Sequence, residues 1–308
     1  MVSKKDLFPI GIGTWGIGGF AEKDPKADVA KQQKALTYML NKGMNFVEAN
    51  MWYSKGMAVD ILSKAFKEST KKRDDVFICQ AVYLKTNKLQ DTESEVDKVL
   101  ECFETDHIDT LEFTQSVFIE YQFSDVVKVI EDLLRKGKTR FTSITNENPE
   151  LLEKYHRYFG DKLFSHEVCY NFEVRENEKL GTIPYAQTND ILTVVYQPLR
   201  RNRTANRNWH LLVELAEKYK ATQNQIILAW IVSKGLLPLT KSETPEHVDE
   251  HLASLNIKLD PEDIKRLNEF VVPNYKSPKI DWNKTGDGID VSQLSNVFDE
   301  EYDKQQIK

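Results

Sequence analysis

Residues 11–19 read GIGTWGIGG, and two α/β folds compete for them. Gly11, Gly13 and Gly16 satisfy G-x-G-x-x-G, the spacing of a dinucleotide-binding turn whose third glycine opens a helix against a pyrophosphate. That turn requires a helix beginning at or near Gly16. The chain continues instead as GGFAEKDPKAD, and helical periodicity starts only near Asp28. The preceding strand is short and holds Pro9, and Glu48 sits later than the acidic residue expected about 20 positions on. These residues favour a first strand followed by a rim turn over a phosphate-cradling loop.

Working outward, short apolar runs alternate with longer helical patterns. Strands are predicted at PIGIG (9–13), NFVEA (45–49), VFICQAV (76–82), IDTLEFT (108–114), TRFTSIT (139–145), LFSHEVC (163–169), ILTVVY (191–196) and LLPLT (236–240). Between them, Val29, Leu36, Met39 and Leu40 mark one apolar helix face. Thr92 and Glu95 have capping-box spacing, Ser124 is placed as an N-cap, and Asn148–Pro149 and Asp260–Pro261 have the form of an N-cap followed by a first-turn proline. About eight strand–helix units in one uninterrupted run predict a (β/α)8 barrel spanning residues 1–270 rather than an open sheet. The stretch 271–308 is polar and breaks the rhythm; it is expected to be an irregular extension, over the barrel mouth or partly disordered.

The chain has 308 residues, of which 40% are hydrophobic, enough for a sizeable core. A net charge of −6 and a pI near 5.7 argue against a general nucleic-acid binder. The start MVSKKDLFPI lacks an apolar core of signal-peptide length, and no run approaches the roughly 18 apolar residues of a membrane span. Cys79, Cys102 and Cys169 are widely spaced and form no zinc pattern. A cytoplasmic protein without membrane or nucleic-acid partners is expected.

The order of the motifs resembles the aldo-keto reductases. GIGTW is similar to that family's first barrel strand, GMNFVEANMWYSKG to its G-x-N-F-D-T-A-x-x-Y-G, GKTRFTSITN to G-K-I-R-x-I-G-V-S-N, EVCYN to Q-x-x-Y-N, and VVYQPL to A-Y-S-P-L. ATQNQIILAWIVSKG and TKSETPEHVDEH resemble two later family segments, so the likeness runs in order from about residue 8 to 270. The resemblance implies a (β/α)8 barrel that reduces small carbonyl substrates with NADPH.

It also implies site residues. The family's catalytic tetrad is Asp, Tyr, Lys and His. Tyr53 stands at the tyrosine position and Glu48 at the aspartate position, whereas Ala81 and Thr114 fall on the lysine and histidine positions. Lys85, four residues beyond Ala81, would have to fold back from a loop to substitute. The resemblance places Thr14 and Trp15 beside cofactor or substrate. It places Thr145, Asn146 and Glu167 around the nicotinamide carboxamide, Tyr196 against the nicotinamide ring, and Lys241 and Ser242 at the 2′-phosphate. His247 replaces the arginine that forks onto that phosphate. Glu250 matches an adenine-side glutamate, and His251 replaces an asparagine. Leu199 and Arg200 begin the segment LRRNRTANRN, whose Arg200, Arg201, Arg203 and Arg207 are expected either to focus potential on the pyrophosphate or to be a solvated loop. For the two histidines the plainer expectation is a solvated helix face.

Period-two alternation adds a further expectation. If Glu48, Thr114 and Glu167 point into the barrel, so do Phe46, Glu112 and Thr110. Three interior carboxylates repel one another and take up protons or a cation; the simpler expectation is that they lie at different heights, each hydrogen-bonded locally. Three functions remain open: an NADP(H)-dependent oxidoreductase using Tyr53 and Glu48, a catalytically silent nucleotide-binding relative, and other acid–base chemistry through the same two residues.

Overall fold

A computed structural model describes residues 3–84 and 87–273. Lys85 and the stretch 274–308, which holds nearly all of the expected extension, lie outside the described residues. Eight parallel strands close into a barrel in sequence order: β1 (Gly11–Ile12), β2 (Phe46–Ala49), β3 (Phe77–Val82), β4 (Ile108–Thr114), β5 (Thr139–Thr145), β6 (Leu163–Cys169), β7 (Leu192–Tyr196) and β8 (Leu237–Thr240). Each strand falls within its predicted run. β1 is shortest because Gly13 departs toward the rim after its N–H donates to the Thr240 carbonyl at 3.0 Å.

Helices follow the strands and cover the barrel's outside. The helix Val29–Asn41 buries Ala35, Leu36, Met39 and Leu40, the face marked by its spacing, and the Asp28 side chain caps it at Lys31 N–H. Asn148 caps the helix Pro149–Phe159 at Leu151 N–H, as its spacing predicts. Two cap predictions fail. The helix Thr92–Phe103 has Asp91 as its N-cap, and Thr92 Oγ1 donates backward to the Leu89 carbonyl at 2.7 Å. The helix Phe123–Arg135 starts ahead of Ser124, with Gln122 as N-cap. A preceding short turn at Leu89–Asp91 captures Thr92, which local spacing does not reveal. Asp260 does precede the helix Pro261–Glu269, but its side chain makes no cap bond; it accepts from Lys218 instead.

The interior is layered. At the bottom, Phe46, Phe77, Phe141 and Phe164 stack with centroid separations of 5.4, 4.2 and 5.2 Å along the series Phe46–Phe77, Phe77–Phe164 and Phe141–Phe164, beside Val194, Leu237 and Leu239. Above them the hydroxyls of Thr110, Ser143 and Ser165 form a chain, each link 2.7 Å. Higher on the same strand faces come Glu48, Glu112, Thr114 and Glu167, which confirms the period-two expectation.

Gly11 belongs to this packing. A Cβ at Gly11 would lie 2.7 Å from Leu239 Cδ2 and 2.8 Å from Leu237 Cδ2; one at Gly13 would lie 3.3 Å from Leu239 Cβ. Gly16, Gly18 and Gly19 have φ of +89°, +68° and +128° and make the rim turn. The first two glycines of the pattern therefore leave room for interior side chains, and the third is a turn residue. Gly11→Ala is expected to lower stability by about 1–3 kcal/mol through overpacking, and Gly13→Ala by less, measured as shifts in the urea unfolding midpoint.

Candidate active site

The upper ends of β1 to β3 hold Tyr53 in place. After β2 the chain turns through Asn50–Trp52, and a short helical turn, Tyr53–Gly56, carries Tyr53 back over Glu48. The Tyr53 hydroxyl donates to Glu48 Oε1 at 2.7 Å, and both side chains are buried. Trp15 packs its ring edge-on against Tyr53 at 4.7 Å and stacks on Trp52 at 5.4 Å; Tyr83 stacks on Trp52 at 5.9 Å. The half-buried Trp15, Trp52 and Tyr83 thus wall the phenol in aromatic surface. Trp52 and Tyr83 were not singled out by sequence reasoning, because no spacing rule connects two loops that meet only in the fold. Thr14 is fully buried, and its hydroxyl donates to the Glu48 carbonyl at 3.0 Å.

The electrostatics are one-sided. Burial pushes the Glu48 carboxyl up, and bonds from Tyr53 and the Thr14 backbone pull it partly back. Burial pushes Glu112 and Glu167 well up, and the carboxylates act on each other: Glu48 and Glu147 on Glu112, and Glu112, Glu48 and Glu147 on Glu167. Tyr53 is driven well above the usual phenol range by burial and then by Glu48, Tyr83 and Glu167. Among the described residues none of these three glutamates has an ion-pair partner, and Glu112 Oε2, Glu167 Oε2 and Thr114 Oγ1 are buried without a hydrogen bond. Local hydrogen bonding of each carboxylate, the simpler expectation, is thus overturned for Glu112 and Glu167. Ala81 pairs in register with Glu112 and contributes only a methyl group. Among the described residues no cluster of three or more His, Cys, Asp or Glu side chains is arranged to hold a metal ion. His166 is committed elsewhere, to Glu147 and Thr193 at 2.7 Å each.

A second group of predicted residues gathers on the β5–β7 side. Thr145 Oγ1 and Asn146 N–H donate to the Glu167 carbonyl at 2.9 and 3.0 Å. The Tyr196 hydroxyl donates to Asn146 Oδ1 at 2.6 Å, which turns the amide and leaves Asn146 Nδ2 buried with no partner. Asn146 takes φ of +58°, a strained backbone that asparagine tolerates better than most residues. Lys241 reaches the rim turn: its Nζ lies 3.4 Å from the Gly16 carbonyl and 3.3 Å from Glu243. Ser242 is buried, its hydroxyl donating to the Thr244 carbonyl. On the helix Pro245–Ala253, His247 is exposed, whereas Glu250 accepts from Thr222 at 2.7 Å. His251 is buried, with Nδ1 unpartnered, so the solvated-face expectation holds only for His247.

The arginine segment divides: Arg201 and Arg203 are exposed, as a solvated loop predicts, whereas Arg200 and Arg207 turn inward. Leu199 and Arg200 are buried, and the Arg200 guanidinium is bonded to Glu173, which also accepts from Thr204 at 2.9 Å, Arg207 at 2.7 Å and Trp209 Nε1 at 2.6 Å. Arg201 lies over the Phe20 ring at 4.6 Å, linking this loop to the rim turn after β1. Two of the four arginines thus serve a buried carboxylate instead of forming an open anion cradle. Glu173 escaped sequence reasoning because its partners lie 27 to 36 residues away.

Comparison with known proteins decides which barrel this is. The Aldo/keto reductase family profile matches residues 9–272. The chain belongs to the aldo/keto reductase family. A methylglyoxal reductase of Escherichia coli is 25% identical over 277 residues, covering 88% of this chain and 92% of that protein. An NADPH-dependent alpha-keto amide reductase of Saccharomyces cerevisiae is 25% identical over 235 residues, covering 72% and 74%. A thermostable aldo-keto reductase solved with the inhibitor epalrestat superposes with a TM-score of 0.77 at 27% identity, covering 85% of this chain and 94% of that one. This aldo/keto reductase is thus similar to named reductases over most of its barrel.

Two stability predictions follow from buried ionisable groups. Glu173→Ala leaves Arg200 buried without its carboxylate; a loss of about 3–5 kcal/mol is expected, with faster tryptic cleavage within 200–209. Burial pulls the His251 imidazole down to about 4 from 6.5. Between those pH values the unfolded chain binds a proton that the folded one does not, so this residue's contribution is full above 6.5 and lost as pH falls toward 4. His251→Asn is expected to remove a pH-dependent component on the order of 2 to 3 kcal/mol from denaturation curves measured across that window.

Proposed function

We propose that this chain is an NADP(H)-dependent oxidoreductase that reduces a carbonyl group, with Tyr53 as proton donor and Glu48 as the acid behind it. The observation that carries the proposal is the buried 2.7 Å hydrogen bond between Tyr53 and Glu48 at the barrel mouth. Family membership and the NADPH-dependent relative support it.

The residues fit the nicotinamide end of the cofactor. A carboxamide carries one acceptor and one amino donor. Asn146 Nδ2 is a buried donor without a partner, and Glu167 Oε2 a buried acceptor without one. Thr145 and Asn146 are fixed relative to Glu167 by the bonds to its carbonyl, and Tyr196 stands beside them. Lys241 supplies a cation near the rim turn for the phosphate end, with Ser242 and the exposed His247 next to it. Glu250 and His251 lie on the helix Pro245–Ala253, and Trp15 packs against Tyr53 at the mouth. When bound, the nicotinamide supplies hydride to the carbonyl carbon.

The chain's own task is the proton. Hydride addition leaves negative charge on the substrate oxygen, and a positioned acid must neutralise it. Tyr53 alone is a poor donor, because burial and nearby carboxylates disfavour its anion. Burial favours the protonated form of Glu48. In that form Glu48 donates to Tyr53 Oη, and the Tyr53 hydrogen turns to the mouth. As Tyr53 passes its proton to the substrate oxygen, the Glu48 proton moves onto Tyr53. The charge then rests on Glu48, and solvent protonates it after product leaves. No tyrosinate forms.

One observation favours a second reading, a silent nucleotide-binding relative: no described cation lies against Tyr53 to stabilise its anion. The two separate by experiment. NADPH binding is followed by its fluorescence, and turnover by oxidation of NADPH with a reactive nitrobenzaldehyde. The oxidoreductase is expected to bind and turn over, with Tyr53→Phe losing about 10²–10⁴ in rate while retaining NADPH affinity. Binding with no turnover above the Tyr53→Phe background would establish the silent reading.

A further inference from the structure

The interior above the phenylalanine layer holds more acid than its neighbours compensate. Glu48, Glu112 and Glu167 are 4, 1 and 3% exposed, and among the described residues none meets a cation. The least exposed of them, Glu112, faces Ala81 across the β3–β4 pair, where the side chain is a single methyl. Thr114, one pleat above Glu112 on the same strand face, is 2% exposed, and its hydroxyl has no partner. A carboxylate oxygen and a hydroxyl oxygen, both buried and both unsatisfied, thus share one strand face beside a small residue. Buried acceptors left unpaired are costly. Metal coordination does not answer them, since these groups are not arranged as a ligand set.

The geometry points to a receptor for a primary ammonium group between Ala81, Glu112 and Thr114, the ammonium being carried by the carbonyl substrate itself. This specificity rests on the reductase reading; the ammonium site does not. An ammonium has three donors in a compact head, which suits Glu112 Oε2 and Thr114 Oγ1 with the carboxyl groups of Glu48 and Glu167 alongside. The substrate class is a short amino-aldehyde or amino-ketone, its carbonyl oxygen directed at Tyr53. The same cation would favour the anionic side of the Tyr53–Glu48 pair, so the substrate would provide charge compensation that the described residues lack.

The test uses the full chain and two readouts. First, n-propylammonium chloride is titrated while the thermal midpoint is followed. A rise above that given by equal sodium chloride, absent with n-propanol and absent in Glu112→Gln, supports the site; a response no greater than that to sodium chloride in the wild type overturns it, and means that the carboxyls are satisfied by protons alone. Second, kcat/KM is compared for 3-aminopropanal and 3-hydroxypropanal. A preference of about tenfold for the amine, the size of one good charged contact, collapsing toward unity in Glu112→Gln, supports the substrate class; equal efficiencies in the wild type overturn it. Protection by n-propylammonium with neither aldehyde reduced would leave the ammonium site standing and sink the reductase reading alone.

Discussion

Closure of the barrel between β1 and β8 depends on the absence of a side chain at Gly11. The interior at that level is already filled by Leu237, Leu239 and Phe46, and a single added carbon would sit within 2.8 Å of two leucines. Because protein interiors pack to near-crystalline density, the seam tolerates only backbone there. Its consequence runs upward: Gly13 joins Thr240, the chain peels away at the rim, and Thr14 and Trp15 are set over Glu48 and Tyr53. A stretch with the spacing of a phosphate-binding turn thus does steric work at the bottom of the barrel and positions aromatic surface at the top.

Glu173 and the interior acids Glu48, Glu112 and Glu167 stand in different chemical situations. Glu173 is saturated by Arg200, Thr204, Arg207 and Trp209, and holds two loops together. Glu112 and Glu167 each keep a buried oxygen with no partner, and Glu48 has the Tyr53 hydroxyl. A saturated carboxylate is structural. A carboxylate held in low dielectric without a cation is poised to keep a proton or accept a positive group. That contrast supports the proposal of chemistry on the Glu48–Tyr53 side of the mouth and of scaffolding on the Glu173 side.

The strands and most helices were legible from local pattern, because burial in a parallel barrel writes itself as apolar runs and period-3.6 faces. The inward pointing of Glu48, Glu112 and Glu167 was legible for the same reason: alternation fixes one side of a strand once any residue on it is known. The N-caps at Thr92 and Ser124 were misjudged because neighbouring turns compete for the same hydroxyl or start the helix earlier. In the arginine segment, Arg201 and Arg203 are exposed as expected, but Arg200 and Arg207 are not free for solvent or an anion. Positive charge in a loop reads as solvent-facing, but a single carboxylate 27 residues upstream draws Arg200 inside.

By itself, the sequence determined the (β/α)8 barrel and its family; the resemblance set Glu48 beside Tyr53, and alternation made three inward acids on β2, β4 and β6 an expectation. These follow from periodicity and from motif order, which are properties of neighbours along the chain. Only the tertiary structure decided which acids are satisfied, that Asn146 keeps a free donor, that His251 is buried while His247 is not, and that the β7 loop is tied to Glu173. The physical reason is that hydrogen-bond partners and burial are set by residues brought together from distant strands, at spacings no local pattern encodes.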